Sequence, residues 1–334
     1  MQTILGLDFG SSNIVLVMQN EGLILKESNL VSVRRTTNGY TLECVGNQSN
    51  KLLGKTGDNI TTFSPVGFGE IVSFDYAVIL LKQLLEKIHL KPSFLNPIKL
   101  VLLLPVGMQE QEIQKYMELC HAVKIKDVVI VPGIIASALG ENINISANSA
   151  KMVMDIGGGT IDCAVINMNH VVCGSTLALG GRTLDSMIVE FIQKKYGVTI
   201  GLKTAQNLKE DIGSLYQNDS STMQVSCIDN ETMLVDTIEV SAKDVFDSMT
   251  MFLDELIRVI ETTIIQLPPE LAADVTRNGI TITGGYSKIV GLEKYLRTKL
   301  GINILVSNES DIAAQKGLTR LVNNINLLET VTQK

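Results

Sequence analysis

The sequence predicts an α/β protein built from two similar lobes, each carrying a small inserted subdomain, with a ligand clamped in the cleft between them. Three repeated features carry that prediction. A carboxylate-and-glycine hairpin occurs at Ile4–Val17 (ILGLDFGSSNIVLV) and again at Lys151–Val165 (KMVMDIGGGTIDCAV). An apolar strand, a turn and an amphipathic helix follow at Lys99–Leu119 and again at Gly279–Leu300. A short strand and a small-residue helix close each half, at Val128–Gly140 and at Ile302–Gly317. The repeating unit is a whole domain and not a solenoid module. The lobes are expected at 1–140, with an insertion at about 34–74, and at 141–325, with an insertion at about 180–242.

The hairpins come first because they carry the chemistry. An apolar run ends at Asp155, and Gly157, Gly158 and Gly159 then turn the chain before Thr160. Without a Cβ, the backbone N–H groups of such a turn converge on one spot and bind phosphate oxygens. A single GGGT reads equally well as a plain hairpin turn; the second copy decides for phosphate. Aligned, Asp8 falls on Asp155, Gly10 on Gly157 and Asn13 on Thr160. Ser11, Ser12 and Asn13 then offer hydroxyls and amides to one side of the ligand, and Gly157–Thr160 embrace the other. Asp8 and Asp155, facing each other beside a polyphosphate, suit a Mg²⁺ held directly or through water. The plainer alternative is two strand-end aspartates in turn or capping roles.

The remaining elements follow in order. Gly22–Val33 reads as a strand pair, and the polar, turn-rich stretch Arg34–Phe74 as the first insertion. Asp75–Ile88 has apolar residues at helical spacing with Asp75 at an N-cap position. Lys91–Pro97 is a proline-bracketed loop whose tip, Phe94-Leu95, either dips into a membrane interface or partner groove or folds back on the core. In the second half, Val171–Leu179 continues the hairpin, and Thr183–Tyr196 and Lys203–Tyr216 read as helices. Met223–Val240 alternates as two strands around Asp229-Asn230, and Lys243–Leu267 is a long helix stopped by Pro268-Pro269. Thr283-Gly284-Gly285-Tyr286 ends a strand and opens a helix, a junction that attracts anions and lets a nucleotide approach, although it is also a common turn. Lys209 lies beside Gln206 on a helix face, where a lysine is ordinarily just solvated.

Composition narrows the class. The chain has 334 residues, 45% hydrophobic and 19% charged, with net charge −7. An acidic balance with no basic run argues against nucleic acid as a partner. Five cysteines (Cys44, Cys120, Cys163, Cys173, Cys227) lack C-x-x-C spacing and read as thiols of a reducing compartment. No signal peptide is expected, since the first strand begins at Thr3 or Ile4. Apolar runs such as Leu100–Val106 fall far short of the roughly 20 residues of a membrane span. Three scattered histidines (His89, His121, His170) exclude a His-rich metal site, and no G-x-S-x-G elbow, Walker motif or G-x-G-x-x-G fingerprint occurs.

Together these stretches resemble the actin/Hsp70/sugar-kinase superfamily and, within it, the bacterial actin MreB family. The similarity runs over nearly the whole chain: both hairpins, LALGGRTLD, GLKTAQNLKEDIGSLY and QLPPELAADVTRNGITITGGYSKIVGLEKYL. The resemblance implies an actin-like ATPase fold with ATP or ADP and Mg²⁺ in the central cleft. Ser11–Asn13 and Gly157–Thr160 would grip the phosphates, and Asp8 and Asp155 would organise the metal. Gly181 would belong to the nucleotide site, Gln206, Asn207 and Lys209 would face adenine and ribose, and Gly284, Gly285 and Tyr286 would close over the nucleoside. Thr160 and Asp155 would take the catalytic roles. Three departures stand out. Gly133 occupies the place of a water-positioning Glu, Arg182 that of an Asp after two glycines, and Tyr286 that of a third glycine. Loss of the Glu is expected to slow hydrolysis by about 10²-fold or more.

The expected function is therefore that of an ATP-binding cytoskeletal protein of the cytoplasm that polymerises into filaments involved in cell shape and hydrolyses ATP slowly. Its expected partners are itself in paired protofilaments, other MreB paralogues, and the inner face of the cell membrane through Phe94-Leu95. A monomeric ATPase acting as chaperone or adaptor is the alternative; with the chain ending at Lys334, no substrate-binding region is expected after the ATPase, and it ranks lower. A small-molecule kinase ranks lowest, with Asp162 as its one candidate base.

Overall fold

A computed structural model describes residues 2–332 apart from Asn38, Thr56, Asp58, Phe94 and Leu95, so the proposed apolar tip Phe94-Leu95 lies outside the described residues. The chain opens with β1 (Thr3–Phe9), β2 (Asn13–Met18) and β3 (Gly22–Ser28), an antiparallel meander. It then leaves this sheet for β4 (Val31–Thr36), β5 (Gly39–Val45), α1 (Asn47–Leu52), β6 (Ile60–Phe63) and the short pair β7 (Val66–Gly67) and β8 (Glu70–Ile71). The strands expected across Gly22–Val33 thus do not pair with each other: β3 stays with β2, whereas β4 pairs with β5 and β6. α2 (Phe74–Lys87), β9 (Ile98–Leu104), α3 (Glu110–Ala122), β10 (Asp127–Pro132) and α4 (Gly133–Gly140) complete the half. The N-cap position of α2 is Ser73, two residues earlier than expected, and Asp75 sits inside its first turn, where it complements the helix dipole.

The second half repeats the plan with β11 (Lys151–Ile156), β12 (Ile161–Asn167) and β13 (His170–Leu177). Its insertion comprises α5 (Gly181–Tyr196), β14 (Val198–Thr199), α6 (Leu202–Ile212), β15 (Thr222–Asp229) and β16 (Val235–Ser241). α7 (Ala242–Ile265), α8 (Pro269–Asn278), β17 (Ile280–Thr283), α9 (Leu292–Leu300), β18 (Ile304–Val306), α10 (Ala313–Asn323) and α11 (Ile325–Thr332) follow. α7 begins with a full capping box between Ser241 and Asp244. The two prolines end α7, but Pro269 also starts α8, where its missing N–H costs nothing. α6 stops at Ile212, short of the expected Tyr216, because Leu215 N–H donates to Val290 O (2.8 Å) instead of continuing the helix.

The duplication appears directly in the sheets. One has the order β10-β9-β1-β2-β3 and the other β18-β17-β11-β12-β13, strand for strand the same topology. Each has its own apolar core, and a third core lies between them. The closing helices change sides there: α10 packs on β1 and β2 of the first sheet, and α4 on β11 and β12 of the second. Gly6 makes room for this, since a Cβ on it would lie 2.7 Å from Leu318 Cγ. α4 and α10 also cross backbone to backbone. A Cβ on Gly140 would lie 1.9 Å from Ala313 O, and one on Gly317 would lie 1.7 Å from Ala136 O. Each helix thus uses an Ala and a Gly four residues apart, and the contact is reciprocal.

All five cysteines are free thiols, with Cys120 and Cys163 pushed up to about 12 by burial. Among the described residues, no helix is long and apolar enough to cross a membrane.

Candidate functional site

A cleft of about 600 Å³ separates the two sheets, lined by both hairpins. Antiparallel register builds its floor. Asp8 on β1 stands opposite Val15 on β2, and Val15 opposite Lys26 on β3. In the second sheet Asp155 stands opposite Asp162, and Asp162 opposite Thr176. Directly opposed residues share a face, so each sheet turns one row of side chains toward the cleft.

The hairpin turns meet across it. A Cβ on Gly158 would lie 1.9 Å from Ser12 Oγ, and one on Gly159 would lie 2.5 Å from both Cβ and Oγ of Ser11. Only glycine lets the second turn come this close to the first. The first turn is fixed from behind by Asn29, wholly buried, whose N–H donates to Ser12 O (2.9 Å) and whose Nδ2 donates to Ser11 O (3.1 Å) and Val66 O (2.7 Å). The second turn is backed by Gly180-Gly181-Arg182: Gly181 N–H donates to Gly157 O (3.1 Å) and Arg182 N–H to Gly158 O (2.9 Å). Gly181 therefore stands behind the hairpin and does not line the cleft, and neither does Arg182 or Asn207.

Electrostatically the cleft holds a cluster of half-buried carboxyls. Asp155 accepts hydrogen bonds from Ser137 Oγ (2.5 Å) and Thr283 Oγ1 (2.8 Å), yet burial still raises its pKa. Burial, then the neighbouring Asp155 and Asp162, push Asp8 up to about 7. Asp162 accepts from Val106 N–H (3.0 Å), from the Thr176 hydroxyl and from Thr160 Oγ1 (3.4 Å), and burial pushes it up to about 6. Its carboxylate is engaged in joining the lobes, which leaves it poorly placed as a free base for an acceptor substrate. The acids raise one another's pKa, and a cation beside them would offset that repulsion. Among the described residues no cluster of three or more His, Cys, Asp or Glu side chains is placed to hold a metal ion. A Mg²⁺ there would need phosphate and water oxygens in addition to Asp8 and Asp155, which is how this ion is ordinarily bound.

At the far end Tyr286 packs against Gly181, where an added Cβ would strike its ring at 1.4 Å. Lys209 Nζ donates to Tyr286 Oη (2.8 Å) and Gly181 O (3.2 Å) and pairs with Asp185. Burial pushes the lysine pKa down, and its side chain is 2% exposed. Lys209 therefore clamps Tyr286 from beneath, where the sequence reading had it facing a ligand. Gln206 lines the cleft beside it.

With this geometry in hand, comparison with known proteins is decisive. Residues 2–330 match the family model described as MreB/Mbl protein. The chain belongs to the MreB/Mbl family. It is 28% identical over 317 residues to the cell shape-determining protein MreB of Escherichia coli (strain K12), covering 94% of this chain and 91% of that one. The structure of MreB5 of Spiroplasma citri bound to AMPPNP superposes with a TM-score of 0.91 at 26% identity, covering 98% of this chain and 97% of that one. The same MreB5 bound to ADP gives 0.90. MamK, in a double helical filament, shares the fold with a TM-score of 0.80 at 17% identity, covering 97% of this chain and 99% of that one. The fold is actin-like.

Within this MreB/Mbl chain, Ser11, Ser12, Asn13, Gly157–Thr160, Gln206, Lys209, Gly284, Gly285, Tyr286, Asp8 and Asp155 all border one cleft, as does Gly133. Sequence reasoning missed Asn29, Ser137, Asp185 and Lys26. Ser137 is hidden in a run of small helix residues, and Asn29 looks like any turn asparagine. Only the strand register gives Lys26 away, because it stands two strands from Asp8 on the same row.

Proposed function

We propose that this MreB/Mbl protein is a cytoskeletal filament former that binds ATP or ADP with Mg²⁺ in the cleft and hydrolyses ATP slowly. The observation that carries this reading is the pair of matched hairpins whose turns touch only because Gly158 and Gly159 lack side chains, beside the half-buried Asp8 and Asp155. Ser11–Asn13 and Gly157–Thr160 would hold the phosphates, with Asp8 and Asp155 reaching the metal through water. A bound Mg²⁺ would neutralise charge developing on the phosphates. Gln206 and the Gly284–Tyr286 turn would border the nucleoside, and the Lys209 clamp would set the position of the Tyr286 ring. Ser137 and Thr283 hold the Asp155 carboxylate still, and Thr160 would stand at the reacting end. With Gly133 in place of a carboxylate, nothing on α4 orients an attacking water, which supports slow turnover.

Nucleotide that favours the closed arrangement of the lobes would shift the population able to make filament contacts. MreB5 with AMPPNP and with ADP, and MamK in its double filament, support nucleotide binding and self-association by likeness. Attachment at the inner membrane face, and copolymers with paralogues, are further parts of the proposal. The test is sedimentation and electron microscopy with ATP, ADP and a non-hydrolysable analogue, alongside phosphate release. Filaments that depend on nucleotide are the expected result; a chain that stays unassembled in every nucleotide state, at any concentration reached, overturns it.

A further inference from the structure

Three lysines line the cleft, and two are already engaged: Lys209 with Asp185, and Lys288 with Asp311 at 2.6 Å. Lys26 forms no ion pair among the described residues and is exposed. Its row fixes its direction. Lys26 stands opposite Val15, which stands opposite Asp8, so its flexible stem rises on the cleft face of the first sheet. Its charge is felt on both walls: it lowers the pKa of Asp8 below it and of Asp311 on the opposite lobe. Asp311 also fixes which end of the cleft this is. It pairs with Lys288, which closes the short turn Gly285–Lys288 that carries Tyr286. Thr176, the counterpart of Lys26 in the second sheet, stands at the other end, where its hydroxyl donates to Asp162 or to Val106 O.

We propose that Lys26 is a phosphate-binding residue of this cleft, meeting the α- and β-phosphates on the nucleoside side. The assignment rests on the nucleotide reading above. A triphosphate stretched from the Tyr286 end toward Thr160 and Asp162 passes Lys26 first. An unpaired, solvated ammonium needs no internal partner broken before it binds an anion. A lysine on an edge strand also discourages edge-to-edge pairing, and β3 is such a strand; that role predicts no effect on nucleotide.

Calorimetric titration of ADP and AMPPNP, each with Mg²⁺, into the unaltered chain, Lys26→Met and Lys26→Arg separates these. Lys26→Met is expected to weaken both nucleotides alike, by about tenfold or more, and Lys26→Arg to recover most of that loss. Lys26 is exposed, so thermal unfolding of both variants without nucleotide is expected to match the parent. Unchanged affinity in Lys26→Met, or a loss confined to AMPPNP, overturns the assignment and leaves the nucleotide site intact. Failure of the unaltered chain to bind either nucleotide overturns the nucleotide reading, and this assignment falls with it.

Discussion

Replacing Gly317 by Ala tests how the two halves are joined, and helix propensity and packing predict opposite signs. In a helix interior, Gly→Ala ordinarily stabilises by about 0.5–1 kcal/mol. Here the new Cβ would lie 1.7 Å from Ala136 O and 2.4 Å from Ala136 C. Both atoms are backbone, so no rotamer change relieves the contact. Opening it to an ordinary 3.4 Å means parting α4 and α10 by about 1.7 Å. That gap would run through a core where Ile134, Ile135, Leu318 and Leu321 are wholly buried. Overpacking of this kind costs about 1–3 kcal/mol, and lost contacts along the seam add to it. The expected net loss is roughly 2 kcal/mol, read as a lower midpoint of urea unfolding by circular dichroism. Gly133→Ala is the internal control: it begins the same α4, but its nearest neighbour, Leu104 O, would be 3.7 Å away. It should leave the midpoint unchanged or slightly raised. A Gly317→Ala chain as stable as the parent would refute the backbone crossing.

Position 133 has room for the Cβ of a Gly133→Glu chain by the same measurement, and phosphate release with ATP should rise by about 10²-fold; an unchanged rate would remove the role assigned to that position. Asp8 and Asp162 hold their protons up to about 7 and about 6 in the folded chain, against 3.8 as the ordinary value. Their contribution to stability is thus complete below about pH 4 and is lost as pH rises through about 6 and 7. Asp8→Asn should therefore stabilise the nucleotide-free chain at pH 8 by roughly 2 kcal/mol while weakening Mg·nucleotide; melting curves across pH that run parallel for the two chains would contradict this. Asp244 shows the opposite sign. Against the burial that opposes it, hydrogen bonds from Lys195, Tyr196 and Ser241 hold it down to about 2, so its contribution is present above about pH 4 and lost as pH falls through about 2. Asp244→Ala, which removes the α7 capping box, should cost about 2 kcal/mol at neutral pH, and a neutral substitution would show the box to be dispensable.

The doubling of the fold was legible because one physical demand, a carboxylate at a strand end followed by a tight turn, writes the same Asp-x-Gly pattern twice at Asp8–Asn13 and Asp155–Thr160. The exchange of α4 and α10 between sheets was not. Helices that meet through glycine and alanine backbones carry no apolar period that names their partner, so Val128–Gly140 and Ile302–Gly317 reveal a helix but not its destination. The glycines of the site were legible as a class, yet Gly181 has its amide spent on Gly157 O and its face covered by Tyr286. The ion pair of Lys209 was not legible for a related reason. Burial of its charge depends on Asp185, twenty-four residues away on another helix, a separation at which sequence spacing carries no geometric information.

Burying Asp8, Asp155 and Asp162 within one cleft destabilises the protein alone, and the fold offsets it only in part, through Ser137, Thr283, Thr176 and the Val106 N–H. Two of these donors tie one lobe to the other: Ser137 on α4 of the first half reaches Asp155, and Val106 after β9 reaches Asp162. The same hydrogen bonds therefore hold the two lobes together and partly compensate the charge of the cleft. A ligand that brings cationic charge to Asp8 and Asp155 removes the remaining repulsion only while the lobes stay together, since those carboxyls lie in different sheets. A ligand that binds the closed form better would raise its stability by mass action.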